Sequence, residues 1–220
     1  MRVGLDTYSF RFAGGLWVEG ATERPLSPFD YLAIAAELGL QGVHFCDLRH
    51  FPEPREEWAR RVAREAERRG LYVELGTGGS DPAHLAEALR LCRIAGSPVL
   101  RTFVEGVGMR ASMSPEEWEA HLRRSAEGLR EAAKVAEREG VRIAVENHGS
   151  ATSNDILALL DMVGSEWVGV CLDTGNPLFV LEDPLEAAGK LARRTFTVHL
   201  KEYRPLLSQA GLVLEGCALF

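Results

Sequence analysis

From one end to the other, the chain alternates short apolar runs with longer segments of helical period. This alternation constrains the fold more than any other feature. The runs cover residues 2–10, 42–47, 71–76, 99–104, 141–147, 168–173 and 195–201. Most are near-continuously apolar, as strands covered on both faces must be. Between them, in 114–139, Trp118, Leu122, Ala126, Leu129, Ala133 and Ala136 fall three or four apart and make one helical stripe. Ser27-Pro28, Asp81-Pro82, Ser114-Pro115 and Asp183-Pro184 each put a capping side chain before a proline, the signature of a helix start. Asp30, Glu117 and Glu186 follow three residues after three of these caps. Gly39, Gly70, Gly140 and Gly164 stand where helices should end. Strand and helix in steady alternation, with no linker or low-complexity segment, predict an α/β fold with a parallel sheet in a single domain spanning 1–220.

Two architectures satisfy that order: a (β/α)8 barrel and an open doubly wound sheet. A doubly wound nucleotide fold carries a glycine-rich phosphate loop after its first strand. Here the first strand ends DTYSFRF and no such loop follows, which favours the barrel. A barrel carries its active site at the C-terminal ends of its strands. Those ends hold Asp6 and Tyr8, then His44 and Asp47, then Glu74, then Arg101 and Glu105. The later ones hold Glu146-Asn147-His148, Asp173 to Asn176, and His199 with Lys201 and Glu202.

Composition removes several function classes. The formal net charge is −7 and no basic block exists, which argues against nucleic acid as a partner. The arginines of 55–69 alternate with glutamates and read as a solvated helix face. Cys46, Cys92, Cys171 and Cys217 are far apart with apolar neighbours and read as small buried hydrophobes in a reducing compartment. No signal peptide and no run of membrane-spanning length is visible, so the expectation is a cytoplasmic protein without membrane contact.

Glu146, Asp173 and His199 form the strongest constellation. They occupy matching points of three consecutive repeats, and parallel strands about 4.8 Å apart can bring such side chains to one ion. Two carboxylates and an imidazole suit a divalent cation such as Mn2+, Mg2+, Co2+ or Zn2+. Lys201 shares a strand face with His199 and could polarise a carbonyl or meet a substrate anion. Arg101 lies in an apolar strand, so a substrate anion or a barrel carboxylate should meet it. His44 and Glu74 are candidates to line the cavity. His50, His84 and His121 are assigned no role.

The motifs AVENHG, GVCLDTGNP and VHLKEY, with GLDTYSF and GVHF earlier, resemble the xylose-isomerase-like TIM-barrel superfamily across essentially the whole chain. That superfamily holds sugar isomerases and epimerases, inosose dehydratases, keto-sugar-acid enzymes and AP endonucleases. The resemblance implies that Glu146, Asp173 and His199 are metal ligands. It also implies that Glu146 moves a proton next to a sugar carbonyl, with His148 bonding a substrate hydroxyl or orienting Glu146. Asn176 stands where AP-endonuclease relatives place a further metal-binding histidine, which turns the reading away from DNA repair. It joins His44, Glu74 and Arg101 among the expected substrate-binding residues.

Relatives add a fourth ligand, a glutamate ending strand eight. This sequence stops at EGCALF, so an incomplete barrel of seven strands is expected. Its LVLEGCAL stretch matches a loop after strand seven, and Glu215 is not expected to replace the ligand. The implied function is a divalent-metal-dependent isomerase or epimerase of a small keto sugar, working through an enediolate. The alternatives are a lyase, a dehydratase or decarboxylase of a 3-oxo sugar acid, and an inactive truncated barrel or binding subunit. Open edge strands are consistent with a homo-oligomer.

Overall fold

Each apolar run contributes a strand to one parallel sheet. A computed structural model describes residues 2–16, 18, 20–106, 108–209 and 211–217. The strands are β1 (Leu5–Asp6), β2 (Gly42–Phe45), β3 (Tyr72–Gly76), β4 (Val99–Thr102), β5 (Arg142–Glu146), β6 (Val168–Asp173) and β7 (Thr195–His199). The helices between them are α1 (Pro28–Glu37), α2 (Arg55–Arg69), α3 (Pro82–Ala95), α4 (Pro115–Glu139), α5 (Ser153–Val163) and α6 (Pro184–Leu191). Every strand pairs with the next in sequence, in the order β1-β2-β3-β4-β5-β6-β7. A doubly wound sheet reverses its order at a switch point. This sheet never does, so the barrel expectation holds.

The sheet curls. Thr197 on β7 donates a hydrogen bond to Glu74 on β3 at 2.9 Å, and His199 on β7 stands 3.2 Å from His44 on β2. Those strands are far apart in sheet order, so their side chains meet across the interior. β1 and β7 are the two edges, and no eighth parallel strand joins them among the described residues. The result is an open seven-stranded form of the (β/α)8 barrel.

Register divides the side chains into two sets. Leu5, Val43, Val73, Leu75, Leu100, Ile143, Val145, Val170 and Leu172 belong to the main core, built with the helices. The alternate residues line the interior. Asp6 pairs beside His44, His44 beside Glu74, Glu146 beside Cys171, and Asp173 beside His199. The interior is therefore largely polar, with a small apolar floor of Val99, Ala144, Cys171 and Phe196. The six apolar positions of the 114–139 stripe are all buried on α4.

Helix starts follow the sequence signals. Ser27 with Asp30 and Ser114 with Glu117 close reciprocal capping boxes, and Asp81 and Asp183 cap α3 and α6. Thr152 with Asp155 closes a third box, which no proline marks in the sequence. None of the described helices is long and apolar enough to cross a membrane.

Three expectations differ from the structure. The run 2–10 extends only over Leu5–Asp6, because the Asp6 carboxylate accepts the Tyr8 N–H at 2.7 Å and turns the chain into a 3-10 helix. The stretch after β7 is not a simple loop. β8 (Tyr203–Ser208) and β9 (Gly211–Gly216) pair antiparallel around a tight turn with Gly211 at φ +105°. Cys217 is exposed, unlike the other three cysteines. Val198, Leu200 and Leu207 are also exposed on β7, just beyond it and on the hairpin, so this edge carries uncovered apolar surface.

Candidate active site

The polar strand ends meet at the barrel mouth. Glu146 ends β5 and is only 2% exposed. Four groups surround its carboxylate. Arg101 Nε lies 3.1 Å from Oε2, and Asn176 Nδ2 donates to Oε1 at 3.0 Å. His199 Nδ1 is 3.6 Å from Oε1, and Lys201 Nζ is 3.9 Å from it. Burial opposes a charge here, but Arg101, His199 and Lys201 hold the Glu146 carboxyl well below the usual carboxylate range. The Arg101 guanidinium also donates to the Thr77 carbonyl at 2.9 Å and lies over Phe103. Its partner is thus a barrel carboxylate, one of the two options that its place in an apolar strand required.

Asp173 ends β6 fully buried. Its Oδ1 accepts the N–H groups of Gly175 and Asn176, both at 2.9 Å, and its Oδ2 faces Lys201 Nζ at 2.7 Å. Burial raises the Asp173 carboxyl above its ordinary range despite the Lys201 ammonium, and Glu146 nearby adds to the rise. Asn147 ties the two strand ends together. Its Nδ2 donates to the Asp173 carbonyl at 3.0 Å, and its Oδ1 accepts the Asp173 N–H at 2.8 Å. That explains the amide within the Glu-Asn-His ending of β5.

His199 offers its two nitrogens to different neighbours. Nδ1 faces Glu146, while Nε2 lies 3.2 Å from His44 Nδ1 and 3.5 Å from Asp6 Oδ2. Burial disfavours a charged His199 ring, but Cys171 and Glu146 raise its pKa well above the ordinary value. Burial also opposes charge on Asp6, yet His44 and His199 hold that carboxyl below its usual range.

Of the sequence candidates, Glu146, Asp173, His199, Lys201, Arg101, Asn176 and His44 come together at the mouth. Asn176 is bonded to Glu146, and Glu74 accepts the hydrogen bond of Thr197. The His148 backbone N–H donates to the Glu146 carbonyl at 2.9 Å, but the His148 ring does not bond the Glu146 carboxylate. Its ring stacks on Phe103 at 4.5 Å between centroids, and its buried Nδ1 has no hydrogen-bond partner among the described residues. Sequence reasoning left Asp6, Asn147, Cys171 and Glu105 without roles. For Asp6, Glu105 and Asn147 the signal was the visible strand-end position, whereas Cys171 lies inside β6 and carried no such signal. Glu105 is 2% exposed, and burial pushes its carboxyl up to about 8. A groove of about 600 Å3 between α2 and α3 lies on the outer helix layer and shares no residue with the mouth.

Fit to a cation can be judged from the donors. Two groups each place their ligand atoms within 4.8 Å of one another: Asp6, His44 and His199, and Glu146, Cys171 and His199. Asp173 stands beside the second group with its free oxygen turned to an ammonium. Asp173 Oδ2 and Glu146 Oε2 are buried and accept no hydrogen bond, facing cations instead. Carboxylates and imidazole so arranged fit a divalent ion.

An open parallel β/α barrel with a chelating cluster at its C-terminal rim defines the class. The family model described as xylose isomerase-like TIM barrel matches residues 32–211, and the chain belongs to that family. The 3-oxo-isoapionate decarboxylase of Pectobacterium atrosepticum is 27% identical over 222 residues, which cover 100% of this chain and 76% of the relative. Inosose dehydratase 2 of Bacillus cereus is 37% identical over 92 residues, 40% of this chain and 30% of its own length. Among solved structures, D-psicose 3-epimerase with D-tagatose from Clostridium cellulolyticum superposes with a TM-score of 0.75 at 16% identity. That match covers 92% of this chain and 73% of the epimerase, and the likeness is one of fold.

Proposed function

We propose that this chain performs metal-assisted enolate chemistry on a small oxo-sugar derivative, with Glu146 as its proton-transfer group. One observation carries the reading: a carboxylate that is 2% exposed yet held ionised among Arg101, His199 and Lys201. Ionised carboxylates are costly to bury, and a site that maintains one is equipped to move protons or hold cations. A divalent ion held by Glu146, Asp173 and His199 would polarise a substrate carbonyl and stabilise the enolate charge by several kcal/mol. Asn176 fixes one oxygen of Glu146. Asn147 fixes Asp173 against β5. Lys201 and Arg101 supply positive charge for a substrate carboxylate or oxyanion.

We favour loss of a small group over epimerisation. The relative that spans the whole chain is a decarboxylase, and the shorter match is a dehydratase. In a decarboxylation of a 3-oxo acid, the bond from the α-carbon to the carboxylate breaks. Its electron pair passes into the enolate, CO2 leaves, and the carbon regains a proton that Glu146 relays from solvent. The expectation of an isomerase or epimerase uses the same site and differs only in what leaves.

The test incubates the protein with Mn2+ and, separately, 3-oxo sugar acids and ketoses, and follows CO2 release and product spectra. CO2 from a 3-oxo acid, abolished in Glu146→Gln, supports the proposal. Epimer formation without CO2 would return the reading to an epimerase. Absence of any turnover, or full turnover by Glu146→Gln, would overturn both.

A further inference from the structure

We propose a second cation position at the barrel mouth, formed by Asp6 Oδ2, His44 Nδ1 and His199 Nε2, for a first-row divalent ion such as Zn2+, Co2+ or Fe2+. It goes beyond the proposed function, whose ligands stand on the Nδ1 side of His199. The three atoms form a triangle with edges of 2.9, 3.2 and 3.5 Å. Ligands held about 2.1 Å from one ion lie about 3.0 Å apart at right angles and about 3.4 Å apart tetrahedrally. The triangle therefore has the dimensions of three ligands on a single ion.

Hydrogen bonding alone does not satisfy this triangle. A carboxylate accepts only, and each ring nitrogen presents either a proton or a lone pair. With the proton on His44 Nδ1 alone, Asp6 is served, but the His199 lone pair faces the carboxylate. With the proton on His199 Nε2 alone, His44 is served, but its lone pair faces Asp6 at 2.9 Å. With both protonated, two N–H groups face each other across 3.2 Å. Every placement leaves one edge with like facing like. A cation at the centre makes all three edges attractive.

The surroundings suit the ligands. His44 is 7% exposed, and the Asp6 side chain keeps 27% exposure, which gives the position a route to solvent. Gly76 leaves room for the His44 ring, since a Cβ there would stand 2.8 Å from Nε2. Two imidazoles with one carboxylate select borderline first-row ions over Mg2+ or Ca2+, which prefer oxygen ligands, and leave coordination sites open for water or substrate. The ligands come from β1, β2 and β7, so an ion would bridge the two open edges of the sheet.

Co2+ titration read by visible absorption, repeated with Zn2+ by calorimetry, tests this in the intact chain. The variants are Asp6→Asn, His44→Gln and Asp173→Asn, each checked for fold by circular dichroism. Affinity weakened about tenfold or more by Asp6→Asn and by His44→Gln, with Asp173→Asn retaining that site, is the expected result. Binding undiminished in Asp6→Asn and His44→Gln but lost in Asp173→Asn would overturn this site and leave the proposed function standing. No binding of either ion by the parent chain would overturn the site as well, and an equal failure with Mn2+ would remove the metal from the proposed function.

Discussion

Replacing Glu105 by glutamine should stabilise the protein near neutral pH and do little in acid. Glu105 follows β4 and is 2% exposed. Its Oε2 accepts the Val104 N–H at 3.2 Å, and its Oε1 accepts nothing among the described residues. Burial raises its carboxyl from 4.5 to about 8. A carboxyl raised by folding supports the folded state while it is protonated. That support is complete below pH 4.5 and is lost progressively as pH climbs to about 8. Each pH unit in that window costs about 1.4 kcal/mol, so the native chain has lost about 3 kcal/mol by pH 7. Glutamine keeps the shape and never ionises. The stability difference between Glu105→Gln and the parent should therefore grow in favour of the variant by about 3 kcal/mol from pH 4.5 to pH 7. Urea unfolding of both proteins at several pH values measures it. A difference that stays constant with pH would refute the reasoning, because Glu105 would then ionise as freely in the folded chain as in the unfolded one.

Arg101→Met should cost about 3–5 kcal/mol in urea unfolding, since it strands the buried Glu146 carboxylate, and Glu146→Gln in the same chain should restore part of the loss. Gly128→Ala should destabilise by about 1–3 kcal/mol, because the new Cβ would sit 2.0 Å from the Ser80 carbonyl oxygen; an unchanged melting temperature would contradict the packing of α4. Asn147→Ala removes both bonds that tie β5 to Asp173 and should cost about 2 kcal/mol, with amide exchange of the Asp173 N–H accelerated.

The fold was legible because its signals are local and repeated. Ser-Pro and Asp-Pro starts, glycine ends and apolar runs each mark a boundary without reference to any other part of the chain. They left two strand orders open, and the missing glycine-rich loop after the first strand favoured that of the barrel. The hairpin of β8 and β9 was not legible as such, because its runs lack the helix that follows each of β1 to β6. The gathering of Glu146, Asp173 and His199 at one rim could be read from strand-end position alone. Their partners could not. Register is staggered, so Glu146 pairs beside Cys171 while Asp173 pairs beside His199. The curl of the sheet then brings His199 to Asp6 and His44, from strands at its far edge. Sequence periodicity carries neither stagger nor curl. The same limit explains His148: its neighbour Phe103 comes from β4's exit, and nothing near His148 in the sequence announces the stack.

The most direct test of the central claim follows deuterium uptake from D2O at the carbon next to the carbonyl, by NMR, for a ketose and a 3-oxo sugar acid with Mn2+ present. The account predicts uptake by the parent chain and a rate lower by about 10^2–10^4 in Glu146→Gln with the fold intact. Uptake at the same rate in Glu146→Gln, or none by the parent chain, would contradict it.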